Sequence, residues 1–147
     1  MSIDKRSSTA LALVFAVGFV AGQAVRPAPA IAQAPQDHRV FELRKYTAPE
    51  GKLGELEARF RTHTIGIFNR HNMTSIAYFV PQDAPDAQNT LIYILAHPSR
   101  EAAKKNWAEF QADPEWQKVN TESQINGRIV SKVESTFMDP LDFSAIK

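Results

Sequence analysis

Histidine is the side chain best suited to proton transfer near neutral pH, and His63 is the histidine whose position in this chain is most informative. It belongs to a stripe with Leu56, Phe60 and Ile67, at spacings of 4, 3 and 4, which predicts one face of an amphipathic helix. A polar ring in an apolar stripe has two interpretations. It is either a buried core histidine bonded to the backbone, or a pocket residue between helix and sheet that transfers protons.

Arg44 and Tyr46 alternate along a predicted strand, so their side chains fall on the same face of it. Together they can bind an anion or polarise a carbonyl inside a barrel; the alternative is a structural network with Glu42 and Glu134. Trp107 supplies either the apolar wall of a ligand pocket or a core aromatic. With Tyr78, whose role the sequence leaves open, the predicted pocket comprises His63, Arg44, Tyr46, Tyr78 and Trp107.

The sequence assigns no catalytic residue and predicts neither a metal nor another cofactor. His63 and His71 are eight residues apart, unlike the i, i+4 spacing of a helical metal-ligand pair. The chain has no cysteine, which excludes disulfides, thiolate ligands, iron–sulfur clusters and thiol nucleophiles. It also lacks a glycine-rich loop of the kind that binds phosphate.

The N-terminal segment has the layout of a secretory signal peptide. Lys5 and Arg6 precede an apolar stretch over 9–22, and small residues follow it. The triplet Ala30-Ile31-Ala32 fits the cleavage pattern, so we expect export to the periplasm or beyond, with Gln33 as the mature N-terminus. The alternative is an uncleaved N-terminal membrane anchor, although the apolar stretch is shorter than the roughly 20 residues that span a bilayer comfortably.

About 115 residues follow the predicted cleavage site, which is enough for one domain. They carry 14 basic and 15 acidic residues, and this balance excludes a basic surface for nucleic acid. The predicted organisation is a signal peptide over 1–32, a Pro/Ala linker over 33–37, a folded domain over 38–140 and a C-terminal tail over 141–147.

The folded domain is predicted to be an α+β, ferredoxin-like βαββαβ plait, with two helices on one face of an antiparallel sheet. Ser99 is the expected N-cap of the second helix, Asp113 caps a short helix that starts at Pro114, and Asn72 is a left-handed stop. The expected strands are 38–47, 73–80, 90–96 and 128–138, and the first helix is expected over 52–71.

The pattern of the first strand predicts which of its faces meets the helices. Phe41 and Leu43 are expected on the core face, and Glu42, Arg44 and Tyr46 on the other. The second and third strands are apolar on both faces, which indicates that both sides of the sheet are buried. A second subunit is the simplest cover for the far face, and two sheets packed in this way form a dimeric α+β barrel.

Four segments of the chain carry a family resemblance: 41–47 (FELRKYT), 63–73 (HTIGIFNRHNM), 107–116 (WAEFQADPEW) and 134–140 (ESTFMDP). In this order and at this spacing they resemble the NIPSNAP family. The resemblance covers nearly all of the predicted domain and departs from the family mainly at Asn72, where glycine is common. It implies a dimeric α+β barrel but no settled reaction, although related barrels include cofactor-independent monooxygenases, isomerases and haem-degrading enzymes.

Two functions are compatible with this reading. In the first, a barrel pocket binds a small apolar or amphipathic molecule, with or without cofactor-independent acid/base chemistry by His63, Arg44 and Tyr46. In the second, a non-catalytic homodimer docks another exported protein. A closed cavity lined by His63 and Trp107 would favour the first, and a filled core with an exposed apolar patch would favour the second.

Overall fold

The computed structural model describes residues 39–147, so the predicted signal peptide and linker lie outside the described residues. Four strands, numbered in chain order with the bounds given below, form one antiparallel sheet in the order β2-β3-β1-β4. The third strand lies between the first and the second, and the first lies between the third and the fourth, as in a split βαβ fold. The α+β class and the antiparallel sheet are confirmed. The strands are β1 (Val40–Thr47), β2 (Thr74–Phe79), β3 (Thr90–His97) and β4 (Lys132–Met138).

The strand bounds agree with the sequence prediction except at the last strand. The segment 128–131, predicted as strand, precedes β4 as irregular backbone. Ile129 is nonetheless fully buried there, so the apolar signal in this segment reflected burial and not strand pairing.

Three helices accompany the sheet, and the first consists of three contiguous parts. These are α1 (Leu53–Arg59), a π-helical turn (Phe60–Thr64) and α2 (Ile65–Arg70). The second and third helices are α3 (Arg100–Ala112) and α4 (Pro114–Glu122). Within residues 39–147, none of the helices has the length and apolar character needed to cross a membrane.

Local capping chemistry ends and starts these helices as predicted. The Ala102 amide donates to Ser99 Oγ at 3.1 Å, and Asp113 caps α4 with Pro114 at the first helical position. Asn72 adopts a φ of 55°, the left-handed conformation that stops the helix before β2.

The assignment of faces in β1 was wrong. Glu42, Arg44 and Tyr46 lie on the side of the sheet that the helices cover, because Trp107 of α3 bonds to Glu42 and Phe60 packs on Tyr46. We call this side the helix-facing side. Phe41 and Leu43 lie on the opposite side, with Ala96, Ile94 and Ile92 of β3 and with Thr136 and Met138 of β4, and we call that side the open face.

The inward placement of His63 was also wrong. His63 is exposed, and Thr64 is buried at 1% exposure in the position where the spacing placed the histidine. The π-helical turn explains the difference, since its i→i+5 bonding accommodates one residue more than an α-helical turn does. The residues after the turn are displaced by one position relative to the α-helical pattern, and Phe68 is buried beside Ile67.

The core between helices and sheet is built around Tyr93 of β3, which is fully buried. Its ring contacts Tyr46, Phe60, Phe68 and Tyr78 at centroid distances of 5.1 to 5.9 Å. Aromatic contacts of this kind add about 0.5–1.5 kcal/mol each beyond the apolar area that they bury. This aromatic layer adjoins the polar residues around Arg44, because Tyr46 contacts both Tyr93 and Arg44.

Candidate functional site

A buried carboxylate, Glu42, organises the polar groups on the helix-facing side. The side chain is 1% exposed and accepts four hydrogen bonds. Oε1 accepts from Arg44 Nη1 at 2.7 Å and from Ser135 Oγ at 2.6 Å. Oε2 accepts from Trp107 Nε1 at 2.6 Å and from His97 Nε2 at 3.1 Å. Four donors from β1, β3, α3 and β4 therefore converge on one carboxylate.

These donors determine the ionisation of Glu42. Burial alone would raise the pKa of Glu42, but the bonds from His97, Ser135 and Trp107, together with the charge of Arg44, outweigh burial and lower it to about 2. A carboxylate with so low a pKa and no free lone pair is a poor proton acceptor. Its role is to hold Arg44 and Trp107 in place.

Arg44 is the cation that this carboxylate positions. Its guanidinium carbon lies 4.1 Å from the centroid of the Trp107 ring, and its Nη2 donates to the Tyr46 hydroxyl at 3.3 Å. Burial disfavours the charge, but Tyr46, Tyr93 and Glu42 outweigh this effect and raise the pKa of Arg44. The side chain is 15% exposed, while its Nε is buried without a hydrogen-bond partner.

A cleft of about 500 Å³ opens beside this cluster, between α3, β1 and β4. Three cations line it against two carboxylates; Arg44 and Glu42 cancel as an ion pair, which leaves Arg100 and Lys104 against Glu101 and a net charge of +1. Arg100 lies over the Phe137 ring at 3.4 Å from its centroid, so an apolar wall continues from Trp107 along the cleft. We call it the Arg44 cleft; it is lined by Glu42, Arg44, Arg100, Glu101, Lys104, Trp107, Ser135 and Phe137.

Three buried polar atoms on the helix-facing side lack hydrogen-bond partners. They are Arg44 Nε, the Tyr93 hydroxyl and His97 Nδ1. Arg44 and Tyr93 are register partners in the sheet, so two of the three atoms come from adjacent positions. Burial raises the pKa of Tyr93 well above its ordinary value, which keeps the phenol protonated and able to donate. Native proteins leave few such groups unpaired, and bound water or ligand is a common partner for those that remain.

The structure brings together three of the five residues predicted for the pocket. Arg44, Tyr46 and Trp107 are in mutual contact through the Arg44 guanidinium. Tyr78 belongs to the adjoining aromatic layer, stacked on Tyr93 at 5.7 Å, and its hydroxyl bonds to Ser75. His63 is separate from them and lines a different groove.

A closed cavity lined by both His63 and Trp107, which would have favoured the small-molecule function, is not found among the described residues, since the two side chains line separate clefts. The predicted network of Arg44 with Glu42 is present. Glu134 is not part of it, because its side chain belongs to the open face and pairs with Lys132 at 2.9 Å.

The sequence interpretation missed His97, Ser135 and Tyr93. A usable signal was present for two of them. Along β3 every second residue points to the same face, and positions 91, 93, 95 and 97 (Leu91, Tyr93, Leu95 and His97) therefore share one face. The contribution of Ser135 depends on the register between β1 and β4, which pairs it with Arg44 and which local sequence does not specify.

Comparison with known proteins identifies the family of the chain. The family model described as NIPSNAP matches residues 41–145, most of the chain. The chain belongs to the NIPSNAP family. The match covers every strand and helix that lines the Arg44 cleft, so the cleft is a feature of this NIPSNAP domain and not of an appended segment.

Solved NIPSNAP structures share its fold. A NIPSNAP family protein with unknown function from Agrobacterium tumefaciens is 22% identical, with a TM-score of 0.67, over 76% of this chain and 96% of that one. A second from the same organism is 23% identical, with a TM-score of 0.66, over 75% and 100%. An uncharacterized NIPSNAP-like domain protein from Burkholderia xenovorans is 22% identical, with a TM-score of 0.64, over 74% and 90%.

A more distant match is SnoaB, a cofactor-independent oxygenase from Streptomyces nogalater, at 16% identity and a TM-score of 0.49, over 71% of this chain and 95% of that one. This likeness is too remote to bear on the reaction. The curated proteins include no significant match. The function of this NIPSNAP domain must therefore be argued from its own residues.

Proposed function

We propose that this NIPSNAP domain binds a small amphipathic molecule, by its anionic or carbonyl end, in the Arg44 cleft. The observation that carries the proposal is Arg44 itself. Glu42 fixes its guanidinium beside Trp107, and its buried Nε has no hydrogen-bond partner within residues 39–147. A preorganised cation beside an aromatic wall suits a ligand that has one charged or polarised end and one apolar body.

The electrostatics of the cleft favour an anionic end. Arg100 and Lys104 add two cations near Arg44, and Glu101 is the carboxylate that lacks the four donors found at Glu42. Trp107 and Phe137 supply the apolar surface for the rest of the ligand. Concave sites that combine a few fixed polar groups with aromatic walls are typical of small-molecule binding.

The chemistry supported here is stabilisation of an oxyanion. Tyr46 does not line the cleft, but its hydroxyl accepts from Arg44 Nη2 at 3.3 Å and helps to fix the guanidinium that would polarise the ligand oxygen. A role for His63 in proton transfer to this ligand is not part of the proposal, because His63 is exposed in another groove.

We further propose that two copies pair through the open face to form the dimeric barrel. Leu43, Ile92 and Ile94 remain only half-buried on this face, and Phe79 of β2 is 52% exposed. Phe41, on the same face, is 3% exposed and lines a cleft with Leu141 and Phe143 of the C-terminal segment, so the exposed apolar part is limited to the other residues. Exposed apolar side chains that share one face are typical of an interface. The helix-facing side is already covered, so the open face is the side that a second subunit would cover.

The experiment that tests ligand binding is native mass spectrometry of the protein purified from its own host, searching for a co-purifying small molecule. Arg44→Met should abolish the bound mass, because it removes the cation and keeps most of the apolar volume. Arg128→Met is the matched control, since Arg128 is exposed outside the Arg44 cleft and should leave the ligand bound. Wild-type protein free of any such ligand would instead favour the non-catalytic interaction module.

A further inference from the structure

Arg59 of α1 is a buried arginine that lacks a charged partner among the described residues. It is 6% exposed, and no carboxylate within residues 39–147 lies within ion-pair distance of it. Its Nη1 makes long hydrogen bonds to two neutral oxygens, Asn120 Oδ1 at 3.3 Å and Ser123 Oγ at 3.4 Å. Its Nε is buried without any partner.

A buried cation without a counterion is unfavourable, because the charge loses water and gains no opposite charge in return. The ring of Trp116, 5.1 Å from the guanidinium carbon, compensates only in part. Burial accordingly lowers the pKa of Arg59. Arg44, which is only partly buried, has Glu42 as its partner, and exposed Arg70 bonds to both Asp113 and Glu115.

Arg59 lines a groove of about 430 Å³ between the first helix and α4, which we call the Arg59 groove. The hydroxyl groups of Thr62 and Ser123 line it together with apolar Val119. His63 also lines it, placed there by the π-helical turn. Turns of this type occur frequently at functional sites.

We infer that the Arg59 groove binds a small monocarboxylate, whose carboxylate group is the missing counterion of Arg59 and whose apolar part packs on Val119. Two carboxylates on the groove wall oppose negative charge on the ligand, so they limit it to the single charge that Arg59 can pair with. Glu55 pairs with Lys52 at 2.7 Å, but Glu122 has only a long contact to Lys118 at 3.9 Å, so it would repel a polyanion. The groove shares no lining residue with the Arg44 cleft.

The test uses butyrate as the probe and thermal unfolding of the full chain, with chloride at equal ionic strength as the reference. Butyrate should raise the melting temperature of the wild type in a saturable way, since a ligand that binds the folded state stabilises it. Neutral 1-butanol should not produce a saturable rise. Butyrate also fits the ligand class proposed for the Arg44 cleft, so the comparison is made in an Arg44→Met background. There Arg59→Met should abolish the remaining butyrate response, whereas Arg128→Met, at an exposed position outside both sites, should leave it unchanged.

Glu122→Gln keeps Arg59 intact, so its affinity for butyrate tests the inference even if Arg59→Met does not fold. Removing this charge from the wall should tighten butyrate binding by up to about five-fold, the range expected from an exposed charge interaction. Lys105→Met, on α3, is its charge-changing control and should not alter binding. The inference is overturned if the wild type shows no saturable response, if folded Arg59→Met in the Arg44→Met background responds like that background alone, or if Glu122→Gln binds butyrate no more tightly.

Discussion

Replacing Glu42 with glutamine tests whether its four donors stabilise a charge. The substitution keeps the size of the side chain but removes the negative charge and gives one of the two oxygen positions an NH2 group. At least one of the four donors then faces another donor, and Arg44 loses its counterion. We expect the folded protein to be destabilised without losing its fold, because the aromatic layer around Tyr93 is unchanged.

The magnitude follows from the pKa of Glu42. Its fall from an ordinary value of 4.5 to about 2 corresponds to about 3 kcal/mol in favour of the ionised form, at about 1.4 kcal/mol for each pH unit. Glu42→Gln should therefore lower the free energy of unfolding by about 3 kcal/mol at pH 7. Because the folded pKa lies below the unfolded one, this contribution is complete above pH 4.5 and is lost as the pH falls toward 2.

The assay is urea unfolding of wild type and Glu42→Gln at pH 7 and pH 3, at one protein concentration so that assembly is held constant. At pH 3 the difference between the two proteins should shrink to less than about half of its value at pH 7, since part of the contribution of Glu42 has been lost. Glu109→Gln on α3 is the control, because Glu109 is exposed and only weakly paired, and it should change stability by less than about 0.5 kcal/mol. A loss below about 1 kcal/mol at pH 7, or a difference that does not narrow at pH 3, would refute the reasoning.

Three further outcomes are expected. Trp107→Ala should cost about 3–5 kcal/mol in urea unfolding and Trp107→Phe about 1–3 kcal/mol, because the smaller change mainly removes the indole donor to Glu42; a loss under about 1 kcal/mol for alanine would contradict this. His63→Phe should shift stability by no more than about 0.5 kcal/mol, as is usual at exposed positions, and a loss above about 2 kcal/mol would restore the buried interpretation. Leu43→Lys should convert a dimer to a monomer in sedimentation velocity, whereas Ile125→Lys, at a position 76% exposed outside the sheet, should not; a monomeric wild type would remove the barrel proposal.

Local chemistry made much of the fold predictable from the sequence. The caps at Ser99 and Asp113 and the left-handed Asn72 depend on residues within a few positions of one another, and all three are confirmed. The class of the fold was predictable because the alternation between periods of two and of about 3.6 residues gives the order of strands and helices.

The two corrected placements depend on information that is not local. In β1 the alternation separates two sets of side chains but does not say which set meets the helices. That depends on Trp107, 65 positions away, which supplies a hydrogen-bond donor for Glu42. At His63 the stripe pattern assumed a uniform α-helix, and the π-helical turn at Phe60–Thr64 has no signature in hydrophobic spacing. The site was therefore predicted in its residue types at Arg44, Tyr46 and Trp107, but not in its location or in its buried carboxylate centre.

The π-helical turn also determines how the first helix tolerates changes in length. Deleting one residue within an ordinary α-helix turns everything beyond it by about 100°, which would swing Ile67 and Phe68 away from the sheet. Within Phe60–Thr64 the same deletion can be absorbed, because the wide turn contracts to an α-helical one and both flanking segments keep their orientation. A relative whose first helix is one residue shorter should lack that residue within Phe60–Thr64. In this chain the additional residue of the π-helical turn is what leaves His63 exposed.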